Sequence, residues 1–259
     1  MAHQQALDRM VAPFGRAALE RLAARAGEHV LDVGCGCGDT LIALAQAVGP
    51  SGSVTGIDLS EPMLARARER VPAATLIAGD ASAQRFERAF GAVYSRFGVM
   101  FFADPLAAFT HLRGALVPAG RLAFVCWRAP AENTWAGLPA AAIRAALPDL
   151  PVGVQDRPGG PGPFAFAERD TVTGVLRGAG FSAIQLEPFD AEVELASTGL
   201  ADAVRFAVTA GPAARLVAGA SDEDKARAAH AVTAALAPHL RGERVVLHGA
   251  AWIVLARAS

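Results

Sequence analysis

Cysteine, lysine and tyrosine are scarce in this sequence of 259 residues. Its three cysteines, Cys35, Cys37 and Cys126, are too few for a disulfide framework and do not supply the four ligands of a structural zinc site. The sequence also lacks an additional acidic cluster that would suggest a metal, so we predict none. Cys35 and Cys37 alternate with glycines in a predicted turn, where the need for small side chains is enough to explain them.

Excess charge and long apolar runs are lacking as well. The net charge is −1 and the pI is about 6.6, which gives no electrostatic reason to expect nucleic acid or an anionic membrane as a partner. No uncharged apolar run of about 18 residues occurs, and the first ten residues lack the basic start and apolar core of a signal peptide. We therefore predict a cytoplasmic protein without nucleic-acid or membrane partners.

The sequence does contain enough hydrophobic residues for a large core. Hydrophobic residues make up 53% of the chain, and the mean hydropathy is +0.31. At 26.7 kDa the chain is long enough for one large α/β domain, or for one domain with a lid.

The segment HVLDVGCGCGDT, residues 29–40, predicts a buried strand, a glycine turn and the start of a helix. Gly34, Gly36 and Gly38 allow positive φ angles and let a ligand lie against bare main chain. The helix that opens at Thr40 directs its free N–H groups back toward the same turn. This arrangement indicates a binding site for a nucleotide-like ligand.

The spacing within this loop distinguishes two classes of ligand. A dinucleotide fingerprint has the form G-x-G-x-x-G, whereas here the third glycine comes one residue early and Asp39 takes its place. Asp32, at the end of the strand, would repel a pyrophosphate but would suit the ammonium group of an amino acid. A nicotinamide-binding Rossmann domain therefore stays the second interpretation.

The pattern Asp-x-Gly-x-Gly-x-Gly resembles the first motif of the class I S-adenosylmethionine (SAM) methyltransferases. This resemblance implies SAM as cofactor and S-adenosylhomocysteine (SAH) as product. It also implies an α/β fold: a Rossmann-like, seven-stranded, mostly parallel sheet with an antiparallel last strand, helices on both faces, and helical or loop lid insertions. In that family the loop wraps the methionine part of SAM, and the acid contacts its amino group directly or through water. The implied contacts in the loop are Asp32, Gly34, Cys35, Gly36, Gly38 and Thr40.

A second acidic residue, Asp58, ends the predicted strand SVTGID, 20 positions after Gly38. An acid at this place accepts hydrogen bonds from ribose hydroxyls. Ser60 is predicted to cap the following helix, so Asp58 is not needed as a cap. Leu59 and Met63 are predicted to contact the cofactor beside it.

A third acidic residue, Asp80, follows the third predicted strand in the tripeptide Gly-Asp-Ala. The family resemblance implies that Asp80 accepts from the adenine amino group and that the N–H of Ala81 reaches the ring. A surface turn is the competing interpretation. Because the carboxyl ends of parallel strands share one edge, we expect Asp32, Asp58 and Asp80 to converge.

The fourth predicted strand, residues 90–95, departs from the family pattern because Gly91 stands where Asp is common. The Asn/Asp-Pro-Pro-Tyr/Phe signature of amino-methylating DNA enzymes is absent, which argues against DNA bases as acceptors. Ser95 and Arg96 are predicted to face the transferred methyl group. Arg96 either clamps a carboxylate or phosphate of the acceptor, or pairs with Asp104 or a lid acid as a structural tie. The predicted substrate-pocket residues are Phe97, Met100, Trp127 and Trp135.

The resemblance covers residues 29–128, where SRFGVMFFADP and PAGRLAFVCW are similar to small-molecule methyltransferases of the ubiquinone/menaquinone-biosynthesis type. Both segments that interrupt the remaining core leave strands at the carboxyl edge, so we expect them to cover the SAM site. The predicted organisation is a helical cover at 1–28, divided into two helices by Pro13; the SAM-binding core at 29–128; a lid insertion at 129–169; further core at 170–188; a helical insertion at 189–243 that serves as a lid or a homodimer contact; and the last core strand at 244–259.

The predicted reaction is methyl transfer to a small-molecule acceptor, mainly by proximity and orientation, which can contribute roughly 7–11 kcal/mol. A base is required only if the acceptor holds its proton. His248, in the last strand, is the best-placed histidine for that role, and a core histidine bound to backbone is the alternative. Two other functions stay open: a fold-mate that binds SAM or SAH for other chemistry or regulation, and an NAD-dependent oxidoreductase.

Overall fold

The computed structural model describes residues 2–87, 89–150 and 160–259. Its α-helices are α1 (Ala2–Leu22), α2 (Asp39–Val48), α3 (Glu61–Arg70), α4 (Pro105–Ala115), α5 (Thr134–Ala146), α6 (Arg169–Gly178), α7 (Leu200–Thr209), α8 (Ala214–Val217) and α9 (Asp222–Leu236). Its strands are β1 (His29–Val33), β2 (Ser53–Asp58), β3 (Thr75–Ala78), β4 (Phe90–Arg96), β5 (Leu116–Trp127), β6 (Phe181–Ala196), β7 (Leu240–Arg241) and β8 (Arg244–Ala258). Part of the predicted lid insertion, residues 151–159, lies outside the described residues.

The strands in this described part of the chain form an eight-stranded sheet in the order β3-β2-β1-β4-β5-β8-β6, with β7 paired to β8. Strands β1, β2, β3, β4 and β5 pair in parallel, and β8 runs antiparallel to β5. The predicted mostly parallel sheet with an antiparallel last strand is confirmed. The additional strand β7 was not predicted, because two residues are too few for a periodic pattern.

The order of the strands places β1 between β2 and β4, so that the predicted ligand loop follows a central strand. In register, Asp32 lies beside Gly56 of β2 and Tyr94 of β4. The carboxyl ends of β1, β2, β3 and β4 therefore share one edge of the sheet, which is where ligands bind in open α/β folds.

The chain divides into two compact units. The first, which we call the sheet unit, comprises Phe14–Trp127, Pro161–Phe189 and Ala251–Ser259. The second, the helical unit, comprises Met1–Pro13, Arg128–Gly160 and Asp190–Ala250. The predicted use of the two insertions as lids stays a prediction.

The N-terminal segment differs from the prediction, because α1 continues through Pro13 as one helix. Proline removes a helical hydrogen bond and crowds the preceding turn, which is why two helices were expected. Beyond this proline, Phe14, Ala18 and Leu22 are almost completely buried at a spacing of four residues. Their burial offsets the local cost, since tertiary packing supplies most helix stability in proteins.

Two strands are longer than their sequence patterns predicted. β5 begins at Leu116 because the predicted turn Pro118–Gly120 forms an irregularity within the strand, where the pairing shifts from Phe90↔Leu116 to Ala92↔Arg121. β6 continues to Ala196 instead of ending near Glu187. In both cases strand pairing extends through residues whose local sequence favours a turn or a loop.

The helical unit has its own apolar core, in which α9 packs against α5 and α7. Ile143, Ala203 and Val232, one from each helix, are fully buried. Ser221 caps α9 by accepting a hydrogen bond from the backbone N–H of Asp224, at 3.1 Å. None of the helices among the described residues has the length and apolar character that a membrane span needs.

Candidate functional site

The glycine loop connects β1 to α2, and its three glycines have the backbone conformation that the sequence predicted. The φ angles of Gly34, Gly36 and Gly38 are 73°, 53° and 86°, all in the left-handed region that favours glycine. The Gly34 N–H donates to the carbonyl of Ile57 at 2.8 Å, which ties the start of the loop to β2.

A second glycine brings the chain after β4 against this loop. A Cβ atom on Gly34 would lie 3.2 Å from the Cα of Gly98, and a Cβ on Gly98 would lie 2.9 Å from the Val33 carbonyl oxygen. The preceding residue, Phe97, has a φ of 60°, an uncommon conformation for a residue with a bulky side chain. The ends of β1 and β4 are therefore held together by direct backbone contact.

Cys35 occupies a crowded position in the loop. Its side chain is buried, and its Sγ atom would lie 2.7 Å from a Cβ atom on Gly56. Burial raises the pKa of the Cys35 thiol above its ordinary value. These observations agree with the interpretation that a small side chain is needed here, and they describe an unreactive thiol.

Asp32 is completely buried in β1. One of its carboxylate oxygens, Oδ2, accepts a hydrogen bond from the Thr40 hydroxyl, whereas Oδ1 has no partner among the described residues. Burial raises the pKa of Asp32 to about 7, although the Thr40 hydrogen bond and the Arg96 charge lower it. Asp32 therefore ionises only near neutral pH, and one of its oxygens lacks a donor.

Asp58 fastens the glycine loop to the end of β2. Its Oδ2 accepts from the N–H of Gly36 at 2.9 Å, and its Oδ1 accepts from the N–H of Ser60 at 2.9 Å. Ser60 does occupy the N-cap position of α3, but no cap hydrogen bond from its side chain is found in the described structure. The prediction of Ser60 as the N-cap residue is confirmed in position, but the side-chain contact in this turn is made by the Asp58 carboxylate, which accepts from the Ser60 N–H.

Asp80 lies next to Asp58 at the end of β3. The Gly79 N–H donates to the carbonyl of Asp58 at 3.0 Å, which joins the two strand ends. The side chain of Asp80 accepts from both the N–H and the hydroxyl of Ser82, at 2.8 and 2.7 Å. These hydrogen bonds lower the pKa of Asp80. The adjacent Ala81 is buried.

Apolar side chains lie beside these acids. Leu59 is 78% exposed, an unusual value for a leucine, and it follows Asp58 directly. The Met63 side chain lies against the loop, because its Cε atom would be 3.2 Å from a Cβ on Gly36. The edge of the sheet thus combines three carboxylates, bare glycine backbone and an exposed apolar side chain.

Comparison with known proteins agrees with this geometry. Residues 30–120 match the family model described as a methyltransferase domain. A demethylmenaquinone methyltransferase of Staphylococcus aureus is 41% identical over 106 residues, which cover 39% of this chain and 44% of that protein. The chain thus spans less than half the length of this curated relative.

Solved structures share the fold over almost the whole chain. The YcgJ protein of Bacillus subtilis superposes with a TM-score of 0.60 at 16% identity, covering 93% of this chain and 96% of that chain. The phosphoethanolamine N-methyltransferase 2 of Haemonchus contortus, solved with SAH, gives a TM-score of 0.55 at 18% identity over 95% of this chain and 52% of that chain. These similarities establish a Rossmann-like fold.

Arg96, at the end of β4, lies close to the acidic residues beside the glycine loop. Its Nη2 is 3.9 Å from Oδ2 of Asp39, and Asp39 also forms a salt bridge with Arg70. Arg70 donates in addition to the carbonyl of Cys37 at 2.8 Å. The predicted partners of Arg96 were Asp104 or a lid acid, and Asp39 was not among them. Asp104 instead caps α4 by accepting from the N–H of Ala107.

An aromatic cluster adjoins the ends of β4 and β5 in the sheet unit. Phe97 stacks on Trp127 with ring centroids 4.1 Å apart and an interplanar angle of 21°. Phe14 contacts both rings edge-on, at 5.9 and 5.0 Å, and it also contacts Phe189. The structure therefore brings together two of the predicted pocket residues, and it adds Phe14 and Phe189, which lie far from them in the sequence.

Two further predicted residues at this edge are buried. The Ser95 hydroxyl donates to the Val33 carbonyl at 2.7 Å and so links β4 to β1. Met100 is 2% exposed, and its carbonyl accepts from the N–H of Gly162 at 3.0 Å. The predicted positions of Ser95 near the methyl group and of Met100 in the pocket stay predictions.

His248 and Trp135, the remaining predicted residues, belong to the helical unit. The Nε2 atom of His248 lies 3.3 Å from Oδ1 of Asp190, which also lies 3.1 Å from Nη1 of Arg128. The indole N–H of Trp135 donates to Asn133 at 3.0 Å. His248 is 51% exposed, so it is not the buried core histidine of the alternative interpretation.

Several residues that shape this site were not found from the sequence. Gly98 offered a signal, since a glycine just after a strand often marks a close backbone approach. The contacts of Arg70 and Phe14 offered none, because they depend on how distant segments pack together.

Proposed function

We propose that this protein transfers a methyl group from SAM to a small-molecule acceptor and releases SAH. The observation that carries this proposal is the buried Asp32 carboxylate, whose Oδ1 atom has no hydrogen-bond donor among the described residues. An unpaired carboxylate oxygen in the protein interior is unfavourable. The ammonium group in the methionine part of SAM would supply the missing donor and a compensating charge.

The rest of the strand edge fits the other parts of SAM. Asp58 has both oxygens held by backbone N–H groups, and each oxygen keeps acceptor capacity for the ribose hydroxyls. The exposed side chain of Leu59 offers an apolar surface for the adenine ring. Asp80 would accept from the adenine amino group, and the N–H of Ala81 would donate to the ring. The proposed contact set also includes Gly34, Cys35, Gly36, Gly38, Thr40, Met63, Ser95 and Arg96.

The protein's contribution to the reaction is orientation in a dry site. SAM supplies an activated methyl group on a sulfonium, so the chain has to align an acceptor about 3 Å from it. Arg96 would orient an anionic group of the acceptor, and the aromatic pair Phe97 and Trp127 would exclude water. We also assign Met100 and Trp135 to the substrate pocket.

For an acceptor that holds its proton, we propose His248 as the base. Its Nε2 faces Asp190, and a carboxylate at this distance favours the tautomer in which Nδ1 is left to accept a proton. We further propose that the protein acts in the cytoplasm, binds no nucleic acid, and uses the segment 189–243 as a lid or a homodimer contact.

Thermal unfolding in the presence of SAM, SAH or NAD tests the cofactor assignment. A ligand at 100 times its Kd stabilises the folded state by about 2.7 kcal/mol, so SAM and SAH should raise the Tm whereas NAD should not. Asp32→Asn should remove most of this shift, and Asp170→Asn, an exposed residue of α6, serves as the matched control. A Tm shift with NAD but not with SAH would overturn the proposal.

The transfer itself is tested by incubating the protein with methyl-labelled SAM and a panel of small molecules. A demethylmenaquinone analogue belongs in the panel because of the relative's name. Label in an extracted acceptor, dependent on Asp32, supports the proposed function. Tight SAH binding without transfer to any acceptor would support the alternative, a fold-mate that uses SAM for regulation or other chemistry.

A further inference from the structure

The turn that carries Asp80 is closed by hydrogen bonds to the Asp80 backbone. The N–H groups of Ala83 and Gln84 donate to the Asp80 carbonyl at 3.0 and 2.8 Å. Ser82 holds the Asp80 side chain from the same turn. The orientation of the Asp80 carboxylate is therefore fixed by a turn whose far end is Gln84.

His111, on α4, holds that far end. Its Nε2 lies in hydrogen-bond contact with the carbonyl oxygen of Gln84. A carbonyl oxygen can only accept, so Nε2 carries the proton and donates it. The ring of Phe86, two residues further along the turn, packs beside the His111 ring with centroids 6.0 Å apart. One helix residue thus fixes the turn through a polar contact and a ring contact.

Gly79 extends the same connection toward the rest of the site. Its N–H donates to the carbonyl of Asp58 at 3.0 Å, so the Asp80 turn is held on one side by β2 and on the other by α4. His111 contributes the second of these two attachments. Loss of the His111 donor would leave the Gln84 carbonyl without this bond and would let the turn rotate about its β2 attachment.

We propose that His111 is a positioning residue that aims the Asp80 carboxylate, and thereby sets the preference of the site for a 6-aminopurine over a 6-oxopurine. This inference rests on the proposed function, in which Asp80 accepts from the adenine amino group. A 6-oxopurine presents an acceptor oxygen at that place, and two acceptors facing each other are unfavourable. The preference depends on geometry, because hydrogen bonds weaken steeply away from their preferred angle.

The test compares the Kd values of SAH and S-inosylhomocysteine, which differ at this purine position, by titration calorimetry. For the wild type we expect SAH to bind roughly 10–100 times more tightly, the range for one hydrogen bond to a charged group. His111→Phe keeps a ring against Phe86 but has no donor, and it should reduce this ratio at least about fivefold. His111→Gln retains an N–H donor and should keep most of the ratio.

Two reference variants make the ratio interpretable. Asp80→Asn removes the carboxylate and sets the lower limit, toward which His111→Phe should move. His230→Phe, the same substitution at an exposed histidine of α9, should leave the ratio at its wild-type value. General destabilisation weakens both ligands together, so a ratio that falls in His111→Phe and is retained in His111→Gln supports the proposal.

The positioning role of His111 and the proposed function are overturned by different results. If the wild type prefers SAH and His111→Phe has the same preference, the positioning role is overturned while SAM binding stands. If the wild type binds SAH and S-inosylhomocysteine equally, Asp80 does not read the purine and the positioning role is overturned. If the wild type binds neither compound, both proposals are overturned.

Discussion

The Thr40 hydroxyl donates to Oδ2 of Asp32, so the first turn of α2 is joined to the end of β1 through a carboxylate with no solvent exposure. This contact satisfies one oxygen and leaves Oδ1 without a donor among the described residues. Burial of this kind disfavours the charged form, and it makes the protonation of Asp32 sensitive to pH near neutrality.

The first prediction concerns the pH dependence of SAH binding. Because the pKa of Asp32 is about 7 and an ammonium group pairs with the ionised form, the affinity for SAH should rise with pH up to about 7 and then level off. Below that value it should fall by up to about tenfold per pH unit. Calorimetry between pH 5.5 and 8.5 measures this dependence. Asp32→Asn should bind weakly at every pH, and a wild-type affinity that is constant across the range would contradict the prediction.

The second prediction concerns stability without ligand. The folded-state pKa of Asp32, about 7, lies above the ordinary aspartate value of 3.8, so the folded state binds the proton more tightly than the unfolded state. The contribution of this group to the free energy of unfolding therefore falls as pH rises from about 4 to 7, and then stays low. Asp32→Asn removes this loss, which amounts to at most about 4 kcal/mol.

Urea denaturation at pH 5 and pH 8 measures the effect. The free energy of unfolding of Asp32→Asn, minus that of the wild type, should be larger at pH 8 than at pH 5. Thr40→Val provides a check on the local contact, because it removes the hydrogen-bond donor to Asp32. In a protein that keeps Asp32, this substitution should increase the free energy of unfolding that is lost as the pH rises. If the free energies of unfolding of Asp32→Asn and the wild type differed by the same amount at both pH values, Asp32 would not titrate between pH 5 and pH 8.

The glycine loop was predictable because its signal is local. A strand pattern, three glycines and a helix pattern follow one another within residues 29–48, and each element forms where the pattern predicted it. The acids at the ends of β2 and β3 were found for the same reason. The N-terminal segment was predicted to be helical, but the continuity of α1 through Pro13 was not predicted, since burial of Phe14 and Leu22 overrides the local effect of the proline.

Contacts between distant segments could not be predicted. Gln84 and His111 are separated by 27 positions, and no periodic pattern in the sequence pairs a turn carbonyl with one histidine of a helix. Arg96 illustrates the same limit: its position at the end of β4 was predicted, but its neighbour Asp39 is the first residue of α2. Predicting such a pair requires the register of the sheet as well as the directions of the side chains.

The third prediction concerns Gly15 in α1. A Cβ atom there would lie 2.5 Å from Cδ of Arg96 and 3.2 Å from the Tyr94 hydroxyl, which donates to the Gly15 carbonyl. Gly15→Ala should therefore destabilise the protein by about 1–3 kcal/mol, as overpacking does. It should also weaken SAH binding by displacing Arg96.

Two helical glycines with open surroundings supply the control. Apart from adjacent residues and the backbone of the same helix, no atom of the described residues lies within 4 Å of a Cβ atom on Gly114 of α4 or on Gly174 of α6. Alanine at either position should be neutral or stabilising by up to about 1 kcal/mol, because glycine is a poor helix former. Urea denaturation of the three variants gives the comparison. If Gly15→Ala stabilised the protein as much as these controls, the close contact between α1 and Arg96 would not exist.

The fourth prediction separates the backbone of Phe97 from its ring. Phe97→Ala and Phe97→Gly both remove the stack on Trp127, so both should be destabilised by about 3–5 kcal/mol. They differ at the backbone, where φ is 60°. Alanine keeps the strain of the left-handed region and glycine relieves it, so Phe97→Gly should be the more stable of the two by about 1 kcal/mol.

This order reverses the usual one, since glycine normally lowers stability relative to alanine through its greater freedom in the unfolded chain. The denaturant midpoints of the two variants measure this order of stability. Phe109→Ala and Phe109→Gly in α4 are the matched pair at an ordinary helical position. There, the alanine variant should be the more stable of the two. If alanine were also the more stable residue at position 97, the strain at the end of β4 would be absent. The close approach of Gly98 to Gly34 would then have to be maintained without backbone strain at Phe97.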